Sequence, residues 1–313
     1  MRRKRRLDAA AALSVLVLGT APAAARTLQV GAGLPYPTPS AAAAAAHDGD
    51  RVAIAAGRYT DCAVWRANGL TIEGAGMEAT VIAGPVCQDM ALFVIQGHDT
   101  TVRRLTLAGA HASTFNGAGI RATGGNLTVE QVRFRDDEDG ILAASDPAAR
   151  LLVRDSTFEA NGSCAGAGGC AHGLYANRIA LLRVERSTFL ATRSGHHIKS
   201  RALRTEIVGC RIEDGPDGTA SYSIDMPNGG ALLLQDSAIE KGPRAENRSA
   251  AVAIGEEGAS NPPGPIQILH NSFRVDGGYA AVLLANATTT PAQVRGNTLR
   301  GGAAALRGPG DVR

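Results

Sequence analysis

The sequence predicts an all-β solenoid of stacked parallel strands, and three observations support this. A short pattern that ends in an aromatic or aliphatic residue recurs seven times, and a second short segment recurs between its copies. Glycine accounts for 38 of 313 residues and aromatic residues for only 4%, which is typical of short strands joined by tight turns. A unit of about 25 residues is too small to bury its own apolar face, so neighbouring units must stack.

The chain begins with a segment typical of export. Basic residues at positions 2–6 precede an apolar run at 9–19 and small residues at 21–25. This order predicts a signal peptide over residues 1–25 and a secreted or periplasmic protein. Without it, 27 Lys and Arg remain against 28 Asp and Glu, whereas the whole chain has 32 against 29. We therefore expect no nucleic-acid partner, and the lack of a second long apolar run predicts no membrane span.

The repeats divide the rest of the chain into a cap over residues 26–50, coils over 51–308 and a tail at 309–313. Copies of the first pattern lie at 127–134, 151–158, 182–189, 205–212, 232–239, 267–273 and 292–299. Copies of the second lie at 119–122, 140–143, 173–176, 197–200, 223–226 and 253–256. The alternation has the period of strands, and the intervals, 23 to 34 residues, are too short for four-stranded propeller blades.

These features resemble a known fold family. The coil repeat, the segment DGDRVAI at 48–54 and the segment AGRY at 56–59 are similar to those of right-handed parallel β-helix proteins of the pectin-lyase-like superfamily. The resemblance implies a right-handed parallel β-helix of about ten coils, with a short N-terminal capping helix at 41–46. It implies the fold more than the function, because this fold carries many activities and some proteins that are not enzymes.

Five cysteines in an exported chain favour disulfide bridges. Cys62 and Cys87 are one coil apart, and Cys164 and Cys170 bracket a glycine-rich loop, so we predict these two pairs. Unpaired buried cysteines are the alternative. Cys210 lies in a turn position that other coils fill with Ser or Asn, which predicts a free structural thiol. No C-x-x-C pair is present, so a cysteine metal site is not expected.

The candidate site lies on the second repeated strand. Residues two apart share one face of a strand, so if Ile198 points inward, His197 and Lys199 point outward, and Arg201 joins them. Stacking should place Tyr175 of the preceding coil and Asp225 of the following coil beside Lys199. Further members of this patch are Asn177, Asn228, Glu256 and Glu257, with His172 and His196 at its turn edge.

These residue types suit an acidic polysaccharide as the partner. Breaking a uronate chain by β-elimination, or epimerising it, requires a base for the proton beside the carboxylate and a cation that neutralises that carboxylate. Lys199 is the candidate base, since the like charges of His197 and Arg201 favour its neutral form. Arg201 is the candidate carboxylate ligand, and Tyr175 or His197 the acid. The residues assigned to substrate binding are Asp225, Asn228, His172, His196, Asn177 and Glu256. Similar β-helix polysaccharide lyases use Lys or Arg in this way.

Two alternatives remain open. In the first, Lys199 pairs with Asp225 in an exposed ion-pair ladder, and the protein is a non-catalytic surface or periplasmic interaction protein. In the second, Asp136 and Asp137, His172 and Lys199 resemble the sites of polygalacturonase-type glycoside hydrolases, although the preceding coil lacks the expected Asn-x-Asp.

The acidic segment at 136–139 favours a turn over a weak Ca²⁺ site. We expect no other metal or cofactor, and a monomer.

Overall fold

The computed structural model describes residues 25–313, so the predicted signal peptide, except for Ala25, lies outside the described residues. The described strands form a parallel sheet of 20 strands, which stack in two columns here called sheets I and II, and a parallel sheet of ten strands, here called sheet III; the chain visits the three in a repeating order. Sheet III has ten strands, which confirms the prediction of about ten coils. Over the described residues, no helix combines the length and the apolar character that a membrane crossing needs.

Each sheet is a column of strands from successive coils. Sheet I contains Thr27–Val30, Arg51–Ile54, Thr71–Gly74, Thr100–Ala108, Leu127–Arg135, Asp146–Arg154, Ile179–Glu185, Arg204–Val208, Ala231–Gln235, Ile266–Leu269, Ala292–Arg295 and Gly310–Val312. Sheet II contains the second halves of Thr100–Ala108 and Leu127–Arg135, together with Gly57–Thr60, Thr80–Ala83, Thr157–Glu159, Thr188–Leu190, Arg211–Glu213, Ala238–Lys241, Ser272–Val275 and Thr298–Gly301. Sheet III contains Ala63–Trp65, Ala91–Ile95, Ala118–Ala122, Asp139–Ala143, Leu174–Ala176, Ile198–Ser200, Ile224–Met226, Ala250–Ile254, Ala281–Asn286 and Ala303–Arg307.

The ends of the β-helix extend further than the sequence indicates. The predicted capping helix is present as Pro39–Ala45, with Thr38 accepting the Ala41 N–H at its N-terminus. Thr27–Val30, inside the predicted cap, already pairs with the first coil. The predicted tail is wrong, because Gly310–Val312 pairs with Ala292–Arg295 as the last strand of sheet I. A three-residue terminal strand is too short to show an alternating pattern.

Identical positions of successive coils contact one another inside the β-helix, which explains the repeats. Phe134, Phe158 and Phe189 stack with ring centroids 4.7 and 4.4 Å apart, and all three are fully buried. Burying each such ring contributes about 1.5–3 kcal/mol. In sheet III, Ile198 pairs with Leu174 and Ile224 in a second buried row. The apolar residue that ends each repeat is therefore a member of the core.

The cysteines behave as predicted. Cys62 bonds to Cys87, and Cys164 bonds to Cys170. Cys210 is a buried free thiol in the turn between sheets I and II, where its N–H donates to Ser237 Oγ at 3.0 Å. The bridges favour an oxidising compartment outside the cytoplasm.

Candidate functional site

The outer face of sheet III carries the predicted row of polar residues. Tyr175, Lys199 and Asp225 are register partners on three successive strands. The Lys199 Nζ lies 3.5 Å from Asp225 Oδ2 and 5.7 Å from the centre of the Tyr175 ring. The predicted adjacency of these three side chains is confirmed.

A loop residue links the two cations of this row. Glu257 places one carboxylate oxygen 3.5 Å from Lys199 Nζ and the other 2.7 Å from Arg201 Nη2. Its side chain remains half exposed. Burial raises the pKa of Glu257, but Arg201 and Lys199 outweigh this effect and hold it below its usual range. Lys199 and Arg201 therefore act together as a carboxylate-binding pair.

Two neighbours fix the Arg201 guanidinium. Its Nε donates to the Tyr175 hydroxyl at 2.9 Å, and its Nη1 donates to Asn228 Oδ1. Asn228 in turn donates to Ser260 Oγ at 3.0 Å. The planar guanidinium is thus oriented before any ligand arrives.

The edge of the row is formed by stacked rings from successive coils. The ring centroids of His172 and His196 are 4.9 Å apart, and those of His196 and Tyr222 are 5.5 Å apart. Nδ1 of His172 accepts the His196 N–H, and Nδ1 of His196 accepts the Tyr222 N–H, so both neutral rings carry their proton on Nε2. Burial, with the nearby charge of Lys199, lowers the pKa of His196 to about 3.

Asp225 is the acidic centre of this face. Its Oδ2 lies 3.3 Å from His196 Nε2 and 3.5 Å from Lys199 Nζ. Burial raises the pKa of Asp225 to about 6, and the charge of Lys199 opposes that rise. This carboxyl therefore titrates close to neutral pH.

His197 does not lie on this face, so the prediction that it points outward is wrong, and its assigned catalytic role loses the geometry on which it rested. The strand begins at Ile198, so the alternation of faces does not extend back to His197, which lies in the preceding turn. Its ring is fully buried, where it contacts Thr192 Oγ1 at 2.7 Å and Asp214 Oδ1 at 2.9 Å. The argument for a neutral Lys199 flanked by positive charges is lost as well, because Lys199 is paired with Asp225 and Glu257 instead.

Two assigned binding residues make contacts elsewhere. Asn177 donates its side-chain N–H to the Ala143 carbonyl at 2.9 Å, which is a turn contact between coils. Glu256 accepts the Tyr222 hydroxyl proton at 2.6 Å, and burial followed by this carboxylate raises the pKa of Tyr222 to about 12. Glu256 thus supports Tyr222, while its neighbour Glu257 reaches the cations.

The acidic residues at 136–138 form a turn that binds backbone N–H groups, and Asp139 begins the strand Asp139–Ala143. Asp137 Oδ1 accepts from Ala110, and Glu138 Oε2 accepts from Ala112 and Gly117. Asp137 is fully buried, which removes it from the reach of a substrate.

Asp136, the other member of the proposed hydrolase pair, is exposed and lies 2.7 Å from Arg193. The hydrolase alternative therefore loses its acidic pair. Over residues 25–313, no group of three or more His, Cys, Asp or Glu is arranged to hold a metal ion.

No protein-family model matches the sequence, and no curated protein sequence matches it. Among solved structures, an alginate lyase from Paenibacillus sp. strain FPU-7 aligns with a TM-score of 0.64 at 16% identity, over 91% of this chain and 99% of its own. The ORF18 protein of Geobacillus virus E2 aligns with a TM-score of 0.53 at 13% identity, over 84% of this chain and 54% of its own. The chain is a right-handed parallel β-helix. The predicted fold is confirmed.

Loops on this right-handed β-helix build walls around the row. Glu257 comes from the loop between Ala250–Ile254 and Ile266–Leu269, and a second loop, closed by Cys164–Cys170, precedes Leu174–Ala176. The second loop borders a cavity of about 650 Å³ that Phe115 and Tyr175 also line. Sequence reasoning assigned Phe115 no role in the site and gave Glu257 no specific one. The signal was present in the two longest repeat intervals, 31 and 34 residues, which contain these loops.

Proposed function

We propose that this β-helix binds an acidic polysaccharide across the outer face of sheet III and acts on a uronate unit, as a lyase or a uronate epimerase. One observation carries the proposal. Lys199 and Arg201 jointly bind the carboxylate of Glu257, a loop residue whose side chain is half exposed. A uronate carboxylate that displaces Glu257 would gain the same two cations.

This binding mode prepares the substrate for proton removal. The hydrogen on the carbon beside a carboxylate is weakly acidic because the resulting carbanion spreads charge onto the carboxylate oxygens. Two cations held next to those oxygens stabilise that developing charge, and Tyr175 and Asn228 hold one of them in place.

Two proton-carrying groups lie next to the same position. Lys199 Nζ and the Tyr175 hydroxyl come from neighbouring coils, and the Tyr175 oxygen accepts from Arg201. In our proposal the Tyr175 oxygen, as the phenolate, removes the proton, and the Lys199 ammonium protonates the departing oxygen, or returns a proton to carbon in an epimerase. His197 takes no part, since it is buried elsewhere.

The comparisons and the bridges are compatible with this proposal. An alginate lyase is built on the same fold over 99% of its length, although at 16% identity this does not select alginate as the substrate. The two disulfide bridges support export. We propose an exported protein that works outside the cytoplasm.

A non-catalytic interaction protein is the second candidate. It is favoured by the Lys199–Asp225 ion pair at 3.5 Å, which the ion-pair alternative predicts. The two candidates differ in whether bound polysaccharide is chemically changed.

The test is a screen of uronic-acid polysaccharides against residues 26–313. New ultraviolet absorbance from an unsaturated uronate marks elimination, and deuterium uptake into intact chains marks epimerisation. We expect Lys199→Met and Arg201→Met each to lower kcat/KM by about 10²–10⁴, whereas Arg103→Met, which removes a cation paired with Glu73 on sheet I, leaves it unchanged.

Full activity in both site variants would overturn the assignment. Binding that depends on Lys199 and Arg201, with no chemical change in any polymer, would favour the second candidate.

A further inference from the structure

The lining of the cavity beside Tyr175 indicates which kind of sugar unit could bind there. It occupies about 650 Å³, within the range of ligand sites, and lies between segment 113–116 and the loop closed by Cys164–Cys170. Tyr175 lines it as well, so the cavity opens onto the proposed reaction site. A polysaccharide that places a uronate on Lys199 and Arg201 would extend one end into this space.

The cavity is lined without a charged side chain. Its lining consists of Ser113, Thr114, Phe115, Asn116, residues 165–170 and Tyr175. A carboxylate placed here would gain no cation, whereas on Lys199 and Arg201 it gains two. By contrast, a second cavity of about 790 Å³, on the C-terminal side of the row, is lined by Arg248 and Arg307 together with Glu246.

Phe115 gives the uncharged cavity an apolar wall. Its side chain is 46% exposed, which is unusual for a phenylalanine in this chain, and its backbone has a φ of +57°. A left-handed backbone is unfavourable for a residue other than glycine, so the surrounding structure holds this position against strain. An exposed aromatic side chain next to the hydroxyl groups of Ser113, Thr114 and Tyr175 suits the C–H face of a sugar ring.

The facing loop is built to lie close to Phe115. A Cβ atom at Gly166 would come within 2.7 Å of the Thr114 carbonyl oxygen, so only glycine permits this approach. The Cys164–Cys170 bridge closes the loop around it. Segment 113–116 and the disulfide-closed loop therefore form two opposing walls of the cavity.

We propose that this cavity binds an uncharged sugar unit next to the uronate on which the protein acts. The inference rests on the proposed function and narrows its substrate class. The preferred polymer is one in which a uronate has an uncharged neighbour, either a neutral or N-acetylated sugar or a uronate whose carboxyl is esterified. A chain of unmodified uronates is the poorer substrate.

The test compares three tetrasaccharides of equal length with the mature protein. One alternates uronate with N-acetylhexosamine, one alternates free with methyl-esterified uronate, and one is an unmodified uronate chain. Initial rates give kcat/KM, and calorimetric titration gives Kd where there is no turnover. We expect at least one of the first two to be preferred about tenfold or more over the third, and their ranking shows which uncharged neighbour is used.

Variants make the test specific to the cavity. Phe115→Ala should weaken the preferred ligand about 3- to 10-fold and leave the unmodified uronate chain unchanged. Ala167→Arg, which adds a cation to the exposed loop, should strengthen binding of the unmodified chain. Leu34→Ala, an exposed leucine in the cap, is the matched control and should change nothing. Thermal unfolding confirms that each variant is folded.

Two outcomes overturn the inference. The first is equal or tighter binding of the unmodified uronate chain by the wild type. The second is a loss in Phe115→Ala that is the same for all three ligands. If the preference and its dependence on Phe115 are found but Lys199→Met has no effect, the proposed function fails while the cavity assignment stands. If uronates bind through Lys199 and Arg201 without any effect of Phe115→Ala, only the cavity assignment fails.

Discussion

Two adjacent histidines, His196 and His197, belong to two clusters that each contain one His, one Asp and one Lys. The cluster on the outer face of sheet III, here called the groove cluster, consists of His196, Asp225 and Lys199, whose side chains are 13%, 6% and 13% exposed. The buried cluster consists of His197, Asp214 and Lys241, all of them 0% exposed. Each cluster has an aspartate between a histidine and a lysine, so residue types alone do not distinguish a candidate functional site from a structural cluster.

Hydrogen bonding separates the two clusters. In the buried cluster, His197 contacts Asp214 at 2.9 Å, Gly242 N–H donates to the same carboxylate, and Lys241 Nζ donates to the Ala220 carbonyl at 3.1 Å. The lysine–aspartate distance is 3.5 Å in both clusters, but the histidine–aspartate distance is 3.3 Å in the groove cluster, and over residues 25–313 no backbone N–H among its contacts matches that of Gly242. The buried groups are fully engaged by the protein, whereas the groove groups retain capacity for a ligand.

Burial raises the pKa of both aspartates, but the net shifts of the two pKa values have opposite signs. Burial raises the pKa of Asp225 to about 6, because the charge of Lys199 does not compensate fully for lost hydration. It also raises the pKa of Asp214, but there the hydrogen bond from His197 and the charge of Lys241 outweigh it, so that pKa lies below its usual range. Incomplete compensation is common at functional sites, and here it is consistent with our proposal for the groove cluster.

The largest expected effect comes from breaking the buried cluster. His197→Ala leaves Asp214 without its closest partner and should lower the free energy of unfolding by about 3–5 kcal/mol. Urea denaturation measures this loss. The folded fraction should keep the kcat/KM of the wild type, since the His197 ring is buried away from the outer face of sheet III. A stable His197→Ala protein without activity would return His197 to the catalytic site.

Stability should depend on pH with opposite sign for the two aspartates. Asp225 has a folded pKa of about 6 against about 3.9 unfolded, so between those values the folded state binds the extra proton. Its contribution to stability therefore falls as pH rises from about 4 to about 6, by up to about 3 kcal/mol. The lowered pKa of Asp214 makes a contribution that is full above about pH 4 and is lost as pH falls further.

Denaturation midpoints from pH 3 to 8 check these signs. His196, whose pKa is lowered from 6.5 to about 3, makes stability rise with pH over the whole interval from pH 4 to 6 and so opposes the decline from Asp225. The decline therefore shows as a difference: between pH 4 and 6 stability should rise more steeply in Asp225→Asn than in the wild type, and Asp214→Asn should flatten the loss at low pH. A wild-type profile in Asp225→Asn would show that this carboxyl is solvated like an ordinary one.

A smaller effect is expected from the carboxylate that covers the groove cluster. Glu257→Gln removes the internal anion from Lys199 and Arg201, so KM for an anionic chain should fall about 3- to 10-fold with stability within about 0.5 kcal/mol of the wild type. Glu73 is the matched control on sheet I, because it lies between Arg51 and Arg103 at 2.7 and 2.8 Å but is nearly buried. Glu73→Gln should lower stability by about 1–3 kcal/mol and leave KM unchanged. A raised KM in Glu257→Gln would mean that Glu257 binds substrate instead of competing with it.

Positions within strands could be predicted from the sequence, whereas positions in turns could not. Alternation places Lys199 outward and Ile198 inward, and the repeat spacing places Tyr175 and Asp225 beside Lys199, as the register confirms. The same rule failed one residue earlier, at His197, because a turn does not keep the period of two. Asp214, which captures that histidine, lies 17 residues away in the next turn and carries no repeat signal.

The sequence by itself determined the coil repeat, the stacking order of the strands, both disulfide pairs and the central row of the site. These follow from periodicity, since a parallel stack converts an interval along the chain into contact between neighbours. Only the tertiary structure decided which of two adjacent histidines is buried, that Glu257 reaches both cations, and that Phe115 and the bridged loop enclose an uncharged cavity. Those features depend on loops of irregular length, whose course is fixed by packing and hydrogen bonds between coils, not by any local period.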